Sequence, residues 1–321
     1  MRSPRRVKAS RITRAFYWSG LALLIAGCYQ VSRSNPNDPL SKSYAVHFQK
    51  KNEFALPDTW GYHDLVADSN SVYLRTTPKS TAHLLRFDLS GNKLYDVDAG
   101  YTDGKFVRYT SAAGGVLACS INDSQIETLT AASGSPLSTS VSLTNTSGAT
   151  CKISDYLIET SGNLQIVSAN THELLRYGGA YNVLWGSVGI LLPGGLALFR
   201  TNETAVLCET GLKRPHLRRY QWTNGALLEN VTNIGVMSGG SDTFLYPEKM
   251  KSDGNRLYFS IVYDNQGLSL FRTDGTNTAP VHLSPEVGLF HGFTFTLRGD
   301  LILMRTNGGG GGAIFIYEKK D

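Results

Sequence analysis

The chain has 321 residues, 41% hydrophobic and 18% charged, which is enough apolar material for a folded body and too little charge for a disordered one. Its formal charge of +5 belongs to one end: residues 1–27 carry six basic and no acidic residues, so the remainder holds 25 Lys+Arg against 26 Asp+Glu, or −1. A body this close to neutral excludes the broad basic surface of a nucleic-acid-binding protein, and no nucleic-acid partner is expected.

Arg2, Arg5, Arg6, Lys8, Arg11 and Arg14 open the chain, and the apolar segment Ala15 to Ala26 follows, interrupted only by Ser19 and Gly20. A run of twelve is too short to cross a bilayer, which takes about 20 residues. It fits the apolar region of a secretion signal, expected as a signal helix over 1–27. The run ends in Leu23-Leu24-Ile25-Ala26-Gly27-Cys28. Small residues at 26 and 27 leave the backbone open to a peptidase just before Cys28. Residues 28–40, with Ser32, Asn35, Pro36 and Asp38, read as a flexible polar tether.

From residue 41 onward the pattern changes. Gly, Ser, Thr and Asn recur every few residues and interrupt any helical period. Short alternating runs take its place: Ser71-Val72-Tyr73-Leu74-Arg75, Leu164-Gln165-Ile166-Val167-Ser168, Arg256-Leu257-Tyr258-Phe259-Ser260-Ile261 and Ala313-Ile314-Phe315-Ile316-Tyr317. Period two with β-branched and aromatic residues predicts strands. Five fragments repeat one order, apolar strand, turn, more polar strand: Leu84–Leu94, Gln125–Leu137, Asn163–Leu175, Leu217–Leu227 and Leu268–Thr276. The turn glycines Gly91 and Gly134 lie 43 residues apart, and Gly225 and Gly275 lie 50 apart. A strand-built repeat of this length predicts a β-propeller.

The expected fold is therefore all-β, a propeller over 41–321. Blades are placed at 64–100, 103–144, 148–178, 183–234 and 242–284. A sixth is assembled from the C-terminal strands and one N-terminal strand, expected at Tyr44 to Phe48. Pairing the two chain ends removes the open edge strands of the ring. Seven blades, or a pair of β-sandwiches, are the alternatives.

The remaining residues offer little chemistry. Cys119, Cys151 and Cys208 are odd in number, so at most one disulfide forms among them, and their apolar neighbours favour buried thiols. His172-Glu173 begins like a zinc-binding helix, but Arg176 stands where the second histidine would be, and the segment reads as a hairpin. Gly308 to Gly312 lacks the Lys-Ser/Thr of a phosphate loop and reads as the hairpin loop between the last two strands. Trp185-Gly186-Ser187-Val188-Gly189 lacks the first glycine of a nucleophile elbow. The basic cluster Lys213-Arg214 with Arg218-Arg219 reads as a solvated loop and strand edge. Trp60, Tyr62, Trp185 and Trp222 are the aromatics available to a binding face, with Trp60 and Tyr62 expected at an exposed rim. No catalytic, metal or cofactor residue is assigned.

Two resemblances follow from these residues. The Leu23–Cys28 segment resembles the lipobox of bacterial lipoproteins. Tyr29, where such proteins carry an inner-membrane retention aspartate, then implies the periplasmic face of the outer membrane. Ile126 to Leu137 resembles the outer hairpin of quinoprotein-like propeller blades, as in the outer-membrane assembly lipoproteins, without the tryptophan that closes each blade. Together they imply a non-catalytic, lipid-anchored protein that binds an envelope partner as a scaffold. The alternative is a periplasmic enzyme acting on a glycan or other polymer at the propeller axis. A Cys28→Ala variant is expected to stay unlipidated and uncleaved at residue 28, read by mass spectrometry of the membrane fraction; a processed, acylated variant would contradict the assignment.

Overall fold

The computed structural model describes residues 48–319, except 58–60, 78–80, 99–105, 138–139, 179–181, 189, 191–192, 211–213, 232–243, 264–266, 276–280, 284–292 and 307–310. Cys28 and the expected signal and tether lie outside the described residues. Among the described residues no helix is long and apolar enough to cross a membrane.

The described strands form six four-stranded antiparallel sheets. The opening strand, β1 (Phe48–Leu56), belongs to the last sheet. Blade 1 is β2 (Gly61–Ala67), β3 (Ser71–Thr77), β4 (His83–Asp88) and β5 (Lys93–Asp98). Blade 2 is β6 (Val107–Thr110), β7 (Val116–Ser120), β8 (Gln125–Thr130) and β9 (Val141–Ser142). Blade 3 is β10 (Ile153–Ile158), β11 (Leu164–Ser168), β12 (Glu173–Tyr177) and β13 (Val183–Val188). Blade 4 is β14 (Pro193–Phe199), β15 (Glu203–Thr210), β16 (Arg214–Gln221) and β17 (Leu227–Val231). Blade 5 is β18 (Phe244–Ser252), β19 (Leu257–Tyr263), β20 (Gly267–Thr273) and β21 (Val281–Leu283). Blade 6 is β22 (Phe293–Leu297), β23 (Leu301–Thr306) and β24 (Gly312–Lys319), with β1 outermost, antiparallel to β24. The protein is a six-bladed β-propeller.

Period two explains why the sheets stack. Successive side chains of one strand face opposite neighbours. On β3, Val72 and Leu74 join a cluster with Ile302, Met304 and Ile314 of blade 6, whereas Tyr73 points the other way, toward Leu117 and Cys119 of blade 2. On β15, Ala205 and Leu207 pack with Met250 and Phe259 of blade 5, and Val206 and Cys208 with Val167 and Leu174 of blade 3. Comparable clusters fill the junctions of blades 2 and 3 and of blades 5 and 6. A sheet buried on both faces needs near-continuous apolar runs, as in Val116-Leu117-Ala118-Cys119. Each large side chain so buried contributes roughly 1.5–3 kcal/mol.

The three cysteines sit in three different junctions. Cys119 lies between blades 1 and 2, Cys151 between blades 2 and 3, and Cys208 between blades 3 and 4; all are free and buried. Burial pushes the Cys119 and Cys208 thiols up to about 11, so neither is a thiolate near neutrality.

Two expectations need correction. Val183–Val188, placed first in the fourth blade, is the outer strand of the third. The Asn163–Leu175 fragment is the hairpin of the second and third strands of its blade, whereas the other four fragments are third-and-fourth-strand hairpins. The two hairpin types read alike because His172 takes a left-handed conformation (φ 56°) and does at its turn what glycine does elsewhere. The closing strand runs from Phe48 to Leu56, not from Tyr44 to Phe48; residues 44–47 lie outside the described residues.

The repeated turn glycines have a double purpose. Gly91, Gly134, Gly225 and Gly275 all have positive φ. A Cβ at each would also strike the preceding blade: Phe54, Val97, Trp185 and Phe199 at 2.7, 2.8, 2.5 and 2.8 Å. At Gly225 an alanine meets left-handed strain of about 1–2 kcal/mol and overpacking of about 1–3 kcal/mol. Gly225→Ala is expected to lower the urea midpoint clearly more than Gly148→Ala, which meets the strain alone because nothing lies within 4 Å. Equal losses would show that the Trp185 contact is unimportant.

Candidate functional site at the propeller axis

Six inner strands converge on the axis, and their sequences break the apolar pattern there. Tyr62-His63-Asp64-Leu65-Val66 of β2 and Ile153-Ser154-Asp155-Tyr156-Leu157 of β10 each place one aspartate in an apolar strand. Pairing with the second strand shifts register between Tyr62 and Asp64, between Ile153 and Asp155, between Pro193 and Gly195, and between Pro247 and Lys249. In four of the six inner strands the bulge thus ends at the axial residue. A bulge bends the strand and re-aims the next side chain, here Asp64, Asp155 and Lys249. At Gly195 it brings bare backbone inward: a Cβ would lie 2.7 Å from the Met250 nitrogen.

These residues form one ionic cluster. Arg108 of β6 donates through one Nη to Asp64 Oδ2 and through the other to Asp155 Oδ1. Its Nε donates to the Tyr156 carbonyl at 2.8 Å, and Nη1 also to the Val107 carbonyl at 2.7 Å. Asp64 accepts the amides of Leu65 and Val107 at 3.0 and 3.2 Å, with Thr294 Oγ1 at 3.5 Å. Asp155 accepts the amides of Tyr156 and Leu196 at 2.8 and 2.9 Å. Lys249 Nζ stands 3.9 Å from Asp64 and 4.5 Å from the centre of the Phe106 ring. All six blades contribute a group to this cluster.

The electrostatics follow from burial. Both carboxylates are at most 1% exposed. Burial alone would raise the Asp64 carboxyl, but the charges of Arg108, Lys249 and Lys251 bring it down to about 2. Burial likewise opposes the Arg108 charge, and Asp155 and Asp64 outweigh it and hold the guanidinium above its ordinary value. Lys251, half-buried on the same strand as Lys249, is lowered to about 7 by burial and by Arg108 and Lys249, against the pull of Asp155 and Asp64.

Where the inner strands end, a cavity of about 430 Å³ opens over this cluster. Arg108 and Lys251 reach it from the charged layer. Leu157, Ile158, Leu196, Leu198 and Leu297 are among its apolar lining, and Asp68, Ser69, Ser252 and Arg298 stand at the strand ends. The volume is that of a pocket for a small molecule.

A second polar knot ties blades 3 and 4. Glu159, fully buried, accepts from Arg176 Nε and Nη2 (both 2.8 Å), Gln165 Nε2 (2.7 Å), Trp222 Nε1 (2.6 Å) and Ser161 Oγ (3.0 Å). Burial pushes this carboxyl up, and those hydrogen bonds, Arg176 first, hold it below the usual range. Trp185 donates to the Trp222 carbonyl at 3.0 Å. Both tryptophans are thus part of a blade junction.

The other sequence candidates disperse. Tyr62, expected on an exposed rim, is only 8% exposed: it packs in the junction of blades 6 and 1 and donates its hydroxyl to the Pro57 carbonyl. Trp60 and Lys213 lie outside the described residues. Arg219 is not solvated: at 12% side-chain exposure it pairs with Glu203 at 3.0 Å and with Glu229. Glu173 sits in β12 directly after the turn at His172, so the pair shares no helical face. Among the described residues no group of histidine, cysteine, aspartate and glutamate has the arrangement to hold a metal ion. The axial residues were missed; their signal was the one aspartate in each of two inner strands.

No family model matches the chain, and no curated protein matches it. Its fold is similar to several solved structures. A protein of unknown function from Dyadobacter fermentans superposes with a TM-score of 0.62 at 8% identity, covering 86% of this chain and 100% of that one. The WD40 repeats of RRP9 give 0.57 at 10% identity, covering 84% and 99%. Virginiamycin B lyase from Staphylococcus aureus gives 0.53 at 12% identity, covering 83% and 99%. At these identities the likeness is one of fold, and fold alone assigns no activity.

Arg108→Met would leave Asp155 without an ion pair and Asp64 with Lys249 alone, and is expected to cost about 3–5 kcal/mol, measured by urea unfolding at pH 7. The acid limb moves as well. Asp64 is lowered from 3.8 to about 2, so its contribution is full above pH about 4 and disappears as pH falls toward 2. In Arg108→Met that loss should begin at higher pH. An unchanged acid limb would show that Arg108 does not govern Asp64.

Proposed function

We propose that the protein is a non-catalytic, lipid-anchored binding protein: an outer-membrane lipoprotein, held at the periplasmic face through Cys28, that serves as a scaffolding subunit of a cell-envelope complex. The observation that carries the non-catalytic part is the state of the axial acids. Asp64 and Asp155 spend their oxygens on Arg108 and on backbone amides of two or more blades. A carboxylate so committed, and held at about 2 in the case of Asp64, is a poor general acid or base near neutral pH. The remaining carboxylate on the cavity, Asp68, is bound by the amides of Asn70 and Ser71 (both 2.7 Å) and by the Tyr73 hydroxyl (2.5 Å).

The fold supports a scaffold role more generally, since WD40 repeats are among the structures it resembles. A closed ring of blades presents outer strands around its circumference. Several outer strands leave leucines exposed: Leu94 on β5, Leu184 on β13, and Leu227 and Leu228 on β17, at 46–54%. The near-neutral charge of the body supports a protein partner over a nucleic acid. A polymer-acting enzyme is the second reading. The axial cavity favours it, and the virginiamycin B lyase likeness shows that the fold can belong to an enzyme.

The test is co-purification of the lipidated protein from membranes solubilised in mild detergent, followed by size-exclusion chromatography with light scattering. The expected result is a discrete complex of fixed stoichiometry containing one envelope protein, lost when Cys28→Ala removes the anchor. A monodisperse monomer with hydrolytic or lyase activity on peptidoglycan or another envelope glycan would contradict the reading.

A further inference from the structure

Among the described residues that border the axial cavity, one cation stands without a hydrogen-bonded partner. Around it and beneath it stand three cations, Arg108 of β6 and Lys249 and Lys251 of β18, and two carboxylates, Asp64 of β2 and Asp155 of β10. Arg108 spends both Nη groups and its Nε on those carboxylates and on two carbonyls. Lys249 leans on Asp64 and Phe106. At the rim, Arg298 is matched by Asp300 at 3.2 Å and donates to the Ser69 carbonyl at 3.3 Å, and Asp68 is held by its own turn and Tyr73. Among the described residues, no hydrogen bond or ion pair is made by the Lys251 ammonium, which borders the cavity.

We propose that this cavity is a binding site for a small organic monoanion, an apolar body bearing one carboxylate, with the carboxylate seated on Lys251 and the body against the leucine wall. Each part of the ligand answers a feature of the site. The unpartnered Lys251 ammonium calls for one negative charge. Leu157, Ile158, Leu196, Leu198 and Leu297 have no use for a hydrated inorganic ion and reward an alkyl or aryl group. A cavity of about 430 Å³ accommodates a molecule of that size and is too narrow for a folded partner.

The same arrangement makes binding pH-dependent. Burial and the neighbouring Arg108 and Lys249 lower Lys251 to about 7, with Asp155 and Asp64 opposing. A carboxylate placed on Lys251 favours the charged ammonium and raises its pKa again. Binding above neutral pH therefore takes up a proton, and affinity falls as pH rises. The inference goes beyond the scaffold reading and does not depend on it, since it concerns the axis and not the partner surface.

The test is isothermal titration of the purified full chain with a matched pair of probes, 4-phenylbutyrate and its neutral amide, 4-phenylbutyramide. At pH 6 the carboxylate is expected to bind at least tenfold more tightly than the amide, and the preference should vanish by pH 9. At pH 8, titrations in two buffers of different ionisation enthalpy should report net proton uptake. Lys251→Met should abolish the preference at pH 6 while leaving amide binding and the melting temperature intact; Lys251→Gln serves if the methionine variant does not fold. Leu157→Trp, which fills the cavity, should abolish binding of both probes. Equal affinity of the two probes at pH 6, a preference that survives in the Lys251 variants, or no binding of the carboxylate at millimolar concentration would each overturn the proposal. Loss of the envelope complex with carboxylate binding retained would count against the scaffold reading alone.

Discussion

Arg108 sits where six sheets meet and holds one carboxylate from each neighbouring blade. The axis is the one place in the ring where the sheets cannot cover one another with apolar side chains. Inner strands converge too closely for leucine or phenylalanine at every position, and backbone amides at the convergence still need partners. Asp64 and Asp155 supply acceptors to the amides of Val107 and Leu196 on the adjoining blades, and Arg108 makes it possible for two carboxylates to be buried there at all. Removing one member leaves an uncompensated charge, so the cluster is fully satisfied or strongly unfavourable. Its value lies in specificity: the bulges that aim Asp64, Asp155 and Lys249 inward fix the register of three inner strands against their neighbours.

Outward from the axis, stability passes from charge to packing. Each junction is an apolar layer shared by two sheets, and the alternation along β3 and β15 shows how one strand serves two junctions. The outermost turns complete the seal, because Gly91, Gly134, Gly225 and Gly275 let a turn of one blade touch an aromatic or branched side chain of the blade before it. The pairing of β1 with β24 then joins the two ends of the described chain within a single sheet. The cavity at the ends of the inner strands lies over the charged layer and is bordered by Arg108 and Lys251.

The fold was legible in the sequence because it is repetitive. Alternating runs, turn glycines at spacings of 43 and 50 residues, and the more polar strand after each turn all reflect one unit copied round a ring. Errors arose where two different hairpins read alike. Asn163–Leu175 matched the repeat although it is an inner hairpin, and His172 standing in a glycine's conformation hid the difference. The site was far less legible. Asp64, Arg108, Asp155 and Lys249 come from four blades, each 44 to 94 residues from the next along the chain, and nothing local pairs them. Only the single aspartate within an apolar strand marked two of them. Tyr62 illustrates the converse: an aromatic at a strand start looked available and is buried, because that strand end abuts blade 6.

Hydrogen exchange at two amides tests the central role of the Arg108 cluster most directly. Val107 N–H donates to Asp64, and Leu196 N–H donates to Asp155, each across a blade boundary. If the cluster holds the ring together, both amides exchange only through global unfolding, with the same free energy as the best-protected amides of β7 and β15. An Asp64→Asn variant should then lower the protection of Val107 and Leu196 together, although Leu196 touches only Asp155. Exchange of either amide through local opening, while β7 and β15 stay fully protected, would contradict the account.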